Sequence, residues 1–545
     1  ARIVGTTGVF YPTLKKFVGK GGRVNWERAG LPKDQVYAEL AGYTIDVSGS
    51  DYDADSVTFY NKQVFQQPLV GKLNDKLLAN ADSTSSTYPR FRSYDTNLEI
   101  KELIRDGSYK GGFSMHGSKM IGSGTRSNPA SLIFNRNNAP FLVALAQSFV
   151  IRRERVITDN ATVTFYFDKD SMYHPGVGMK YINENKTVTI TRPSERTIGT
   201  PFVSSFHNVD MYFDVLTWKV DDPIIDLKMT TQGEEVKMVL ESKGYFRAER
   251  YQRIQGIADI NPLFLIKQFA ETIQSRDISV NDYAAHRKMN DTQIRSLFMS
   301  LSSQGFLTYN SNTDRAMIKD KLYYYISANS GKSDYDILEF GSQITARSNA
   351  TINLLNYDIN MQGVPRVMLS DTQRVYVEPA DQQLTLKKNR DFTFNGRVRA
   401  GRFDFRGREF TFLYNDFKIL LKNVDSLAMR IPGSQPNENG QVPNVALQSA
   451  LQNLTGYLEI DRPENKSSIK KSPEYPRFTS EGPGYVYYDK PSIYNGVYAR
   501  NRFYFQVNPF TLDSLDNFSA GALSFQGKLV SGGIFPDIQE TLTIQ

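Results

Sequence analysis

Between Asp391 and Ile431 apolar and polar residues alternate with a period of two, and that period allows strands and little else. Phe392, Phe394, Gly396, Val398 and Ala400 share one phase. After Gly401 the phase slips to Phe403, Phe405 and Gly407, then to Phe410, Phe412 and Tyr414. Past Asn415-Asp416 it slips again, to Phe417, Ile419 and Leu421. Each slip falls at Gly or Asn-Asp, residues that turn a chain. The pattern predicts short strands with one buried face and tight corners. Alternation does not report partner direction, so a meander and a solenoid of stacked rungs both satisfy it. Phe392, Phe394, Phe403, Phe405, Phe410 and Phe412 then either fill a closed core or line an apolar trough.

The rest of the chain carries similar text. Leu523, Phe525, Gly527 and Leu529 run into Gly532-Gly533, and Phe113 and Met115 lead to Gly117 and Gly122. Tyr-Pro-Arg-Phe occurs at Tyr88 to Phe91 and again at Tyr475 to Phe478, each followed two residues later by Ser93 or Ser480. An Asp-Ser-apolar step recurs at Asp55, Asp170, Asp425 and Asp513. Such matches imply diverged internal repetition of a supersecondary unit. The 31 Tyr and 34 Phe, against 2 Trp, favour strands as well. The expected fold is mainly β, with stacked short strands (β-solenoid, β-groove or jelly-roll-like) and a small helical, winged-helix-like insert.

That insert is visible as a change of period. Asn261-Pro262 is an N-cap followed by a first-turn proline. Leu263, Ile266, Phe269, Ala270 and Ile273 then form one helical face. A second helix is expected from Asn290, with Gln293 in capping-box position, ending at Gly305. Two short strands follow, Phe306 to Tyr309 and Ala316 to Ile318, then Leu322 to Ile326. Helices followed by a hairpin resemble a winged-helix module, and Arg295 is the second helix's base-reading candidate. A chain of 545 residues exceeds one core. The expected division is a β-rich region at 1–250, the insert at 251–335, a stacked-strand unit at 336–433, a linker at 434–484 and a β unit at 485–545. The linker is marked by the turn formers of Pro432 to Pro443 and Arg462 to Pro483, with a short helix at Ala446 to Leu454.

Several chemistries are disfavoured. The net charge is +7, and 65 basic residues are dispersed among 58 acidic ones, not gathered into the stripe a nucleic-acid binder needs. Zero cysteines exclude disulfides and thiol chemistry and suit an oxidising compartment. His116, His174, His207 and His286 lie far apart in sequence, and His174-Pro175 reads as a strand-ending turn. Asp51 to Ser56 has the opening spacing of a calcium loop, but Ser56 stands where Gly belongs and Lys62 where a bidentate carboxylate belongs, so a solvated turn is expected. No nucleophile elbow, P-loop or dinucleotide fingerprint occurs, and Gly19 to Gly22 reads as a turn. Paired carboxylates for glycoside hydrolysis need no local motif, and none is singled out. The longest apolar run, Ala139 to Ile151, is too short for a transmembrane helix. The abrupt termini are expected to mark a fragment or processed product of a longer exported protein.

The glycine-punctuated strands with their Asp-Ser-apolar steps resemble very large exported proteins of Gram-negative envelopes. Phe394-Asn395-Gly396-Arg397-Val398 and Phe405-Arg406-Gly407 are also remotely similar to the stacked β-groove proteins of lipopolysaccharide transport. The second resemblance implies stacked rungs and an apolar trough for acyl chains, and it carries over no functional residue. The expected role is a non-enzymatic envelope scaffold or binding subunit, in the periplasm or associated with the outer membrane. The alternatives are a glycan-binding or carbohydrate-active protein and a lipid- or lipopolysaccharide-handling β-groove protein, so the partners would be other envelope proteins or, in those alternatives, a glycan or a lipid. No cofactor, metal, catalytic residue, nucleic acid or transmembrane helix is expected.

Overall fold

The computed structural model of this chain describes residues 2–76, 86–104, 107–152, 154–192, 200–230, 237–311, 313–344, 347–432, 444–446, 451–516 and 524–543. The fold is mainly β, with large antiparallel sheets and five short helices among the described residues. Among the described residues no helix is long and apolar enough to cross a membrane. The chain divides into two units, residues 1–195 with 215–223, and residues 196–214 with 224–545.

In the first unit the period-two pattern buries one face of successive hairpins around aromatic side chains. Phe59 stacks on Phe91 at 4.3 Å between centroids, and Trp26 meets Phe59 edge-on at 5.1 Å. Asp51 to Ser56, expected as a solvated turn, is instead the first half of the strand Asp51–Asn61, bulged where Ser56 adopts φ +55°. His174-Pro175 does not end a strand either. It lies inside Asp170–Ile182, beside a register irregularity with Arg155–Phe167. The apolar run from Ala139 to Ile151 makes two strands, Ala139–Ala146 and Ser148–Ile151.

The second unit is built on one long meander. Its strands are β1 (Ile224–Lys228), β2 (Ala350–Asn353), β3 (Ile359–Gln362), β4 (Val375–Leu386) and β5 (Phe392–Ala400). It continues through β6 (Phe403–Leu413), β7 (Lys418–Pro432), β8 (Leu454–Glu459), β9 (Arg477–Ser480) and β10 (Thr511–Leu512). Each pairs antiparallel with the next. Of the two arrangements the alternation allowed, this is the meander.

Registered neighbours form continuous rows across these strands. One inward row passes through Ile225, Ile352, Ile359, Leu386 and Phe392. It goes on through Phe412, Ile419, Leu458, Phe478 and Leu512, and every member is buried. The phase slips separate into two kinds. Those at Gly401 and Asn415-Asp416 are hairpin turns. The one at Gly407, expected as a corner, is a β-bulge inside the single strand β6, and irregularities at the same level cross β4 to β8. Glycine is required there by close approach. A Cβ on Gly407 would lie 2.0 Å from the Asn423 carbonyl oxygen, and one on Gly396 would lie 2.4 Å from that of Glu378.

The repetition has a structural counterpart. Leu69–Lys76 pairs with Arg90–Ser93 so that Gly71 faces Ser93 and Leu73 faces Phe91. In β8 and β9, Gly456 faces Ser480 and Leu458 faces Phe478. Each Tyr-Pro-Arg-Phe copy therefore delivers its Phe and Ser to the same positions opposite a Leu-x-Gly-x-Leu strand. The region expected as a linker accordingly contains β9, and the ends of the helix expected at Ala446 to Leu454 are strand (Asn444–Ala446 and β8), while 447–450 and 433–443 lie outside the described residues.

The helical module holds α1 (Ala248–Gln255), α2 (Pro262–Thr272), α3 (Val280–Arg287), α4 (Asp291–Ser303) and α5 (Asp320–Asn329). Asn261 caps α2 through Leu263 N–H, and Asn290 with Gln293 completes the capping box on α4. Leu263, Ile266, Ile294, Phe298 and Leu322 share its core. The strands Leu307–Asn310 and Arg315–Ile318 form the expected hairpin, joined by Asp277–Ser279.

Candidate functional site

Three charge networks in the second unit have a structural logic. The strands Phe202–Ser204, Val209–Tyr212, Met238–Ser242 and Glu339–Ser342 pair side by side, which sets Asp210, Glu241 and Glu339 in one registered row. Like charges directly opposite each other destabilise a sheet unless they are neutralised. The helical module supplies the cations for Asp210 and Glu241. Lys321 on α5 binds Glu241 and reaches Asp210 at 3.3 Å, and Arg250 on α1 binds Glu241 at 2.5 Å. Lys237 pairs with Glu339. Burial alone pushes the Glu241 carboxyl up, but Lys321 and Arg250 outweigh it and hold the group below the ordinary carboxylate range. Charge pairing thus fastens the module to the sheet.

Beside it, Asp336 is fully buried and takes hydrogen bonds from Ser242 Oγ and Tyr414 Oη at 2.7 Å each and from Leu338 N–H at 3.0 Å. Burial raises its pKa despite those donors and Arg390, whose guanidinium lies over the Tyr414 ring at 3.5 Å. The third network lies on the outer face above the bulge line. Asp404 accepts from Arg397 at 2.7 Å and Arg430 at 2.8 Å, and Glu378 accepts from Arg397 at 3.0 Å and Arg366 at 2.7 Å.

Below the bulge line the same outer face is of another kind. One registered row there reads Thr351, Asn360, Thr385, Thr393 and Thr411 from β2 to β6. It continues with Leu420, Tyr457, Thr479 and Thr511 from β7 to β10. On β1 the row ends at Asp226, opposite Thr351, and the nine strands from β2 to β10 contribute no charge to it, in a protein whose residues are 23% charged. Between this stripe and the bulges the sheet is concave, a pocket of about 470 Å³. Gln362, Gln383, Thr393, Asn395 and Thr411 line it, with Glu409 and Lys422 from the bulged segments. Asn395 Oδ1 accepts the Glu409 N–H at 2.9 Å and fixes the bulge, while Thr385 donates to Asn360 at 2.9 Å. Elsewhere in the second unit, another cavity of about 580 Å³ borders the Arg250 network and is lined by Arg247, Glu249, Arg253 and Gln304.

No family model, curated protein or solved structure matches the chain.

The six phenylalanines proposed as core or trough are all buried, Phe394 the most exposed at 4%. They pack on one another, Phe392 against Phe412 at 5.0 Å and Phe394 against Phe410 at 5.6 Å, while Phe405 packs on Phe478 at 4.9 Å. Among the described residues no group of three or more His, Cys, Asp or Glu could hold a metal ion. His207 is buried between Ser204 Oγ at 2.9 Å and the Tyr357 carbonyl at 2.7 Å. Arg295, the base-reading candidate, is clamped by Asp314 through Nε at 3.1 Å and Nη2 at 2.7 Å. Sequence reasoning did not find the uncharged stripe. Its members are single residues, six of them threonines, on strands scattered over more than 150 positions, and only the register aligns them.

Proposed function

We propose that this chain is a non-enzymatic scaffold and binding subunit of an exported cell-envelope assembly. The observation that carries this reading is how the ionisable clusters are used. The Asp210-Glu241-Lys321-Arg250, Asp336-Arg390-Tyr414 and Asp404-Arg397-Arg430 groups each join separate elements and hold them in fixed positions. Buried charges spent in this way serve geometry. Exposed surface of the first unit supports the binding half of the reading. The edge strand Thr7–Tyr11 presents Val9, Phe10 and Tyr11, each about half exposed, with one side that no described strand pairs and that a neighbouring chain could extend. An exported role agrees with the absence of cysteine.

The test is fractionation of the tagged protein from its native cells, coupled with a hydrolase screen on the purified chain. Recovery in the envelope fraction with no turnover is the expected outcome. Recovery in the cytosol, or turnover lost on substituting an acid in either cavity, overturns the reading.

A further inference from the structure

We propose that the uncharged stripe and the concavity beside it bind a neutral, polyhydroxylated chain, an oligosaccharide lying across the strands. This gives the scaffold a ligand class and rests on the scaffold reading only in taking the site to be non-catalytic.

The chemistry of the lining selects the class. Amides and hydroxyls both donate and accept, which suits sugar hydroxyls that do the same. Among the described residues the side chains of Gln362, Gln383, Thr393 and Thr411 have no hydrogen-bond partner, so their capacity is open to a ligand. A polyanion such as nucleic acid would call for a basic stripe. The nine-strand row offers none, and Lys422 at its border is balanced by Glu409. A protein partner would call for an apolar, aromatic centre, and the row holds only Leu420 and Tyr457 among hydroxyls and an amide.

Tyr457 has its own place in this arrangement. It is half-buried, registered beside Leu420 two strands from Thr411, with Lys418 Nζ 5.8 Å from its ring centroid, and the ring is an amphipathic surface on which a sugar face can stack once that flexible side chain swings aside. The stripe is also long enough. Strands lie about 4.8 Å apart, so the eight spacings from Thr351 to Thr511 extend roughly 38 Å. The site is built, too, by backbone features that core packing alone does not ask for. The bulges crossing β4 to β8 fall along one line, and their segments at Asn395, Glu409 and Lys422 border the concavity.

The experiment is calorimetric titration of the full chain with cellohexaose, xylohexaose, mannohexaose, maltohexaose and chitohexaose, and with hexagalacturonate as the charged comparison. Three variants accompany it: the near-isosteric T393V/T411V, the charge-bearing T393K/T411K, and Y457A. The proposal expects at least one neutral hexasaccharide to bind, with affinity falling about tenfold or more in each variant while the melting temperature is kept. R408E, on the bulge side away from the stripe, should bind as the parent does. Failure of every neutral hexasaccharide to bind overturns the proposal. So does binding that T393V/T411V and T393K/T411K leave unchanged, or a preference for hexagalacturonate. Mass spectrometry of the recovered sugar separates the two readings. A shortened product supports the site and overturns the non-enzymatic scaffold.

Discussion

Replacing Glu241 with Gln tests how the helical module is held. The substitution keeps the shape of the side chain and removes one buried charge. The Glu241 side chain is 4% exposed and its partners Lys321 and Arg250 are 9% and 19% exposed, so the cations lose their main counter-ion, Lys321 where little water can replace it and Arg250 at the edge of the neighbouring cavity. Breaking a buried pair in this way costs about 3–5 kcal/mol. Lys321 keeps Asp210 at 3.3 Å, which favours the lower end of that range. About 3 kcal/mol corresponds to a roughly hundredfold rise in the open population. The assay is native-state hydrogen exchange of the amides in α1, α2, α4 and α5, with the amides of β5 and β6 as internal reference. Module amides should exchange roughly a hundredfold faster in E241Q, with the β5 and β6 amides little changed. The pH dependence gives a second check. Because the folded pKa of Glu241 lies below its unfolded value near 4.5, its contribution is present above pH 4.5 and is lost as pH falls through the folded value. That acid-sensitive part of the module's stability should vanish in E241Q. A change of less than about threefold in module exchange would refute the reasoning, since buried pairing could not then be holding the module.

Three further outcomes are expected. Phe392→Ala removes a fully buried ring packed on Phe412 and Phe340, and should cost about 3–5 kcal/mol in urea unfolding of the second unit. Gly407→Ala places a Cβ 2.0 Å from the Asn423 carbonyl, so it should destabilise the bulge by more than the about 1 kcal/mol a glycine substitution usually shifts, seen as a lower urea midpoint. Asp314→Ala frees Arg295 from its clamp, and fluorescence anisotropy with duplex DNA should still show no sequence-specific binding. Tight, salt-dependent binding by the parent protein would contradict the module's structural role.

How much of this the sequence carries depends on the range of the signal. The period-two text from Phe392 to Leu421 and the caps at Asn261 and Asn290 are local, and both give the elements they imply. The position of Gly407 was legible as a break in phase, but a turn and a bulge produce the same slip, and only the pairing with β5 and β7 distinguishes them. Asp51 to Ser56 misled for a related reason. Closely spaced aspartates favour turns in isolation, yet Tyr52, Ala54 and Val57 supply the buried face of a strand around the bulge. α1 and α3 are each eight residues long, too short for a periodic stripe to stand out. The Asp210-Glu241 pair and the threonine stripe are products of register between distant segments. No single stretch of sequence contains them.

The working surface proposed here is the uncharged stripe on the outer face of the meander, with the phenylalanine-rich face closed as core. The chain has no cysteine, so single cysteines can report on each face. Thr411→Cys lies on the stripe, and Val398→Cys, a near-isosteric change at a residue with no exposed surface, lies on the inner face beside Phe405. Maleimide labelling of the native protein, with lipid content followed by native mass spectrometry, compares them directly. The account predicts rapid labelling at 411, slowed by a bound hexasaccharide, together with protection at 398 and a lipid-free mass. Labelling at 398 as fast as at 411, or stoichiometric lipid released from the protein, would contradict it.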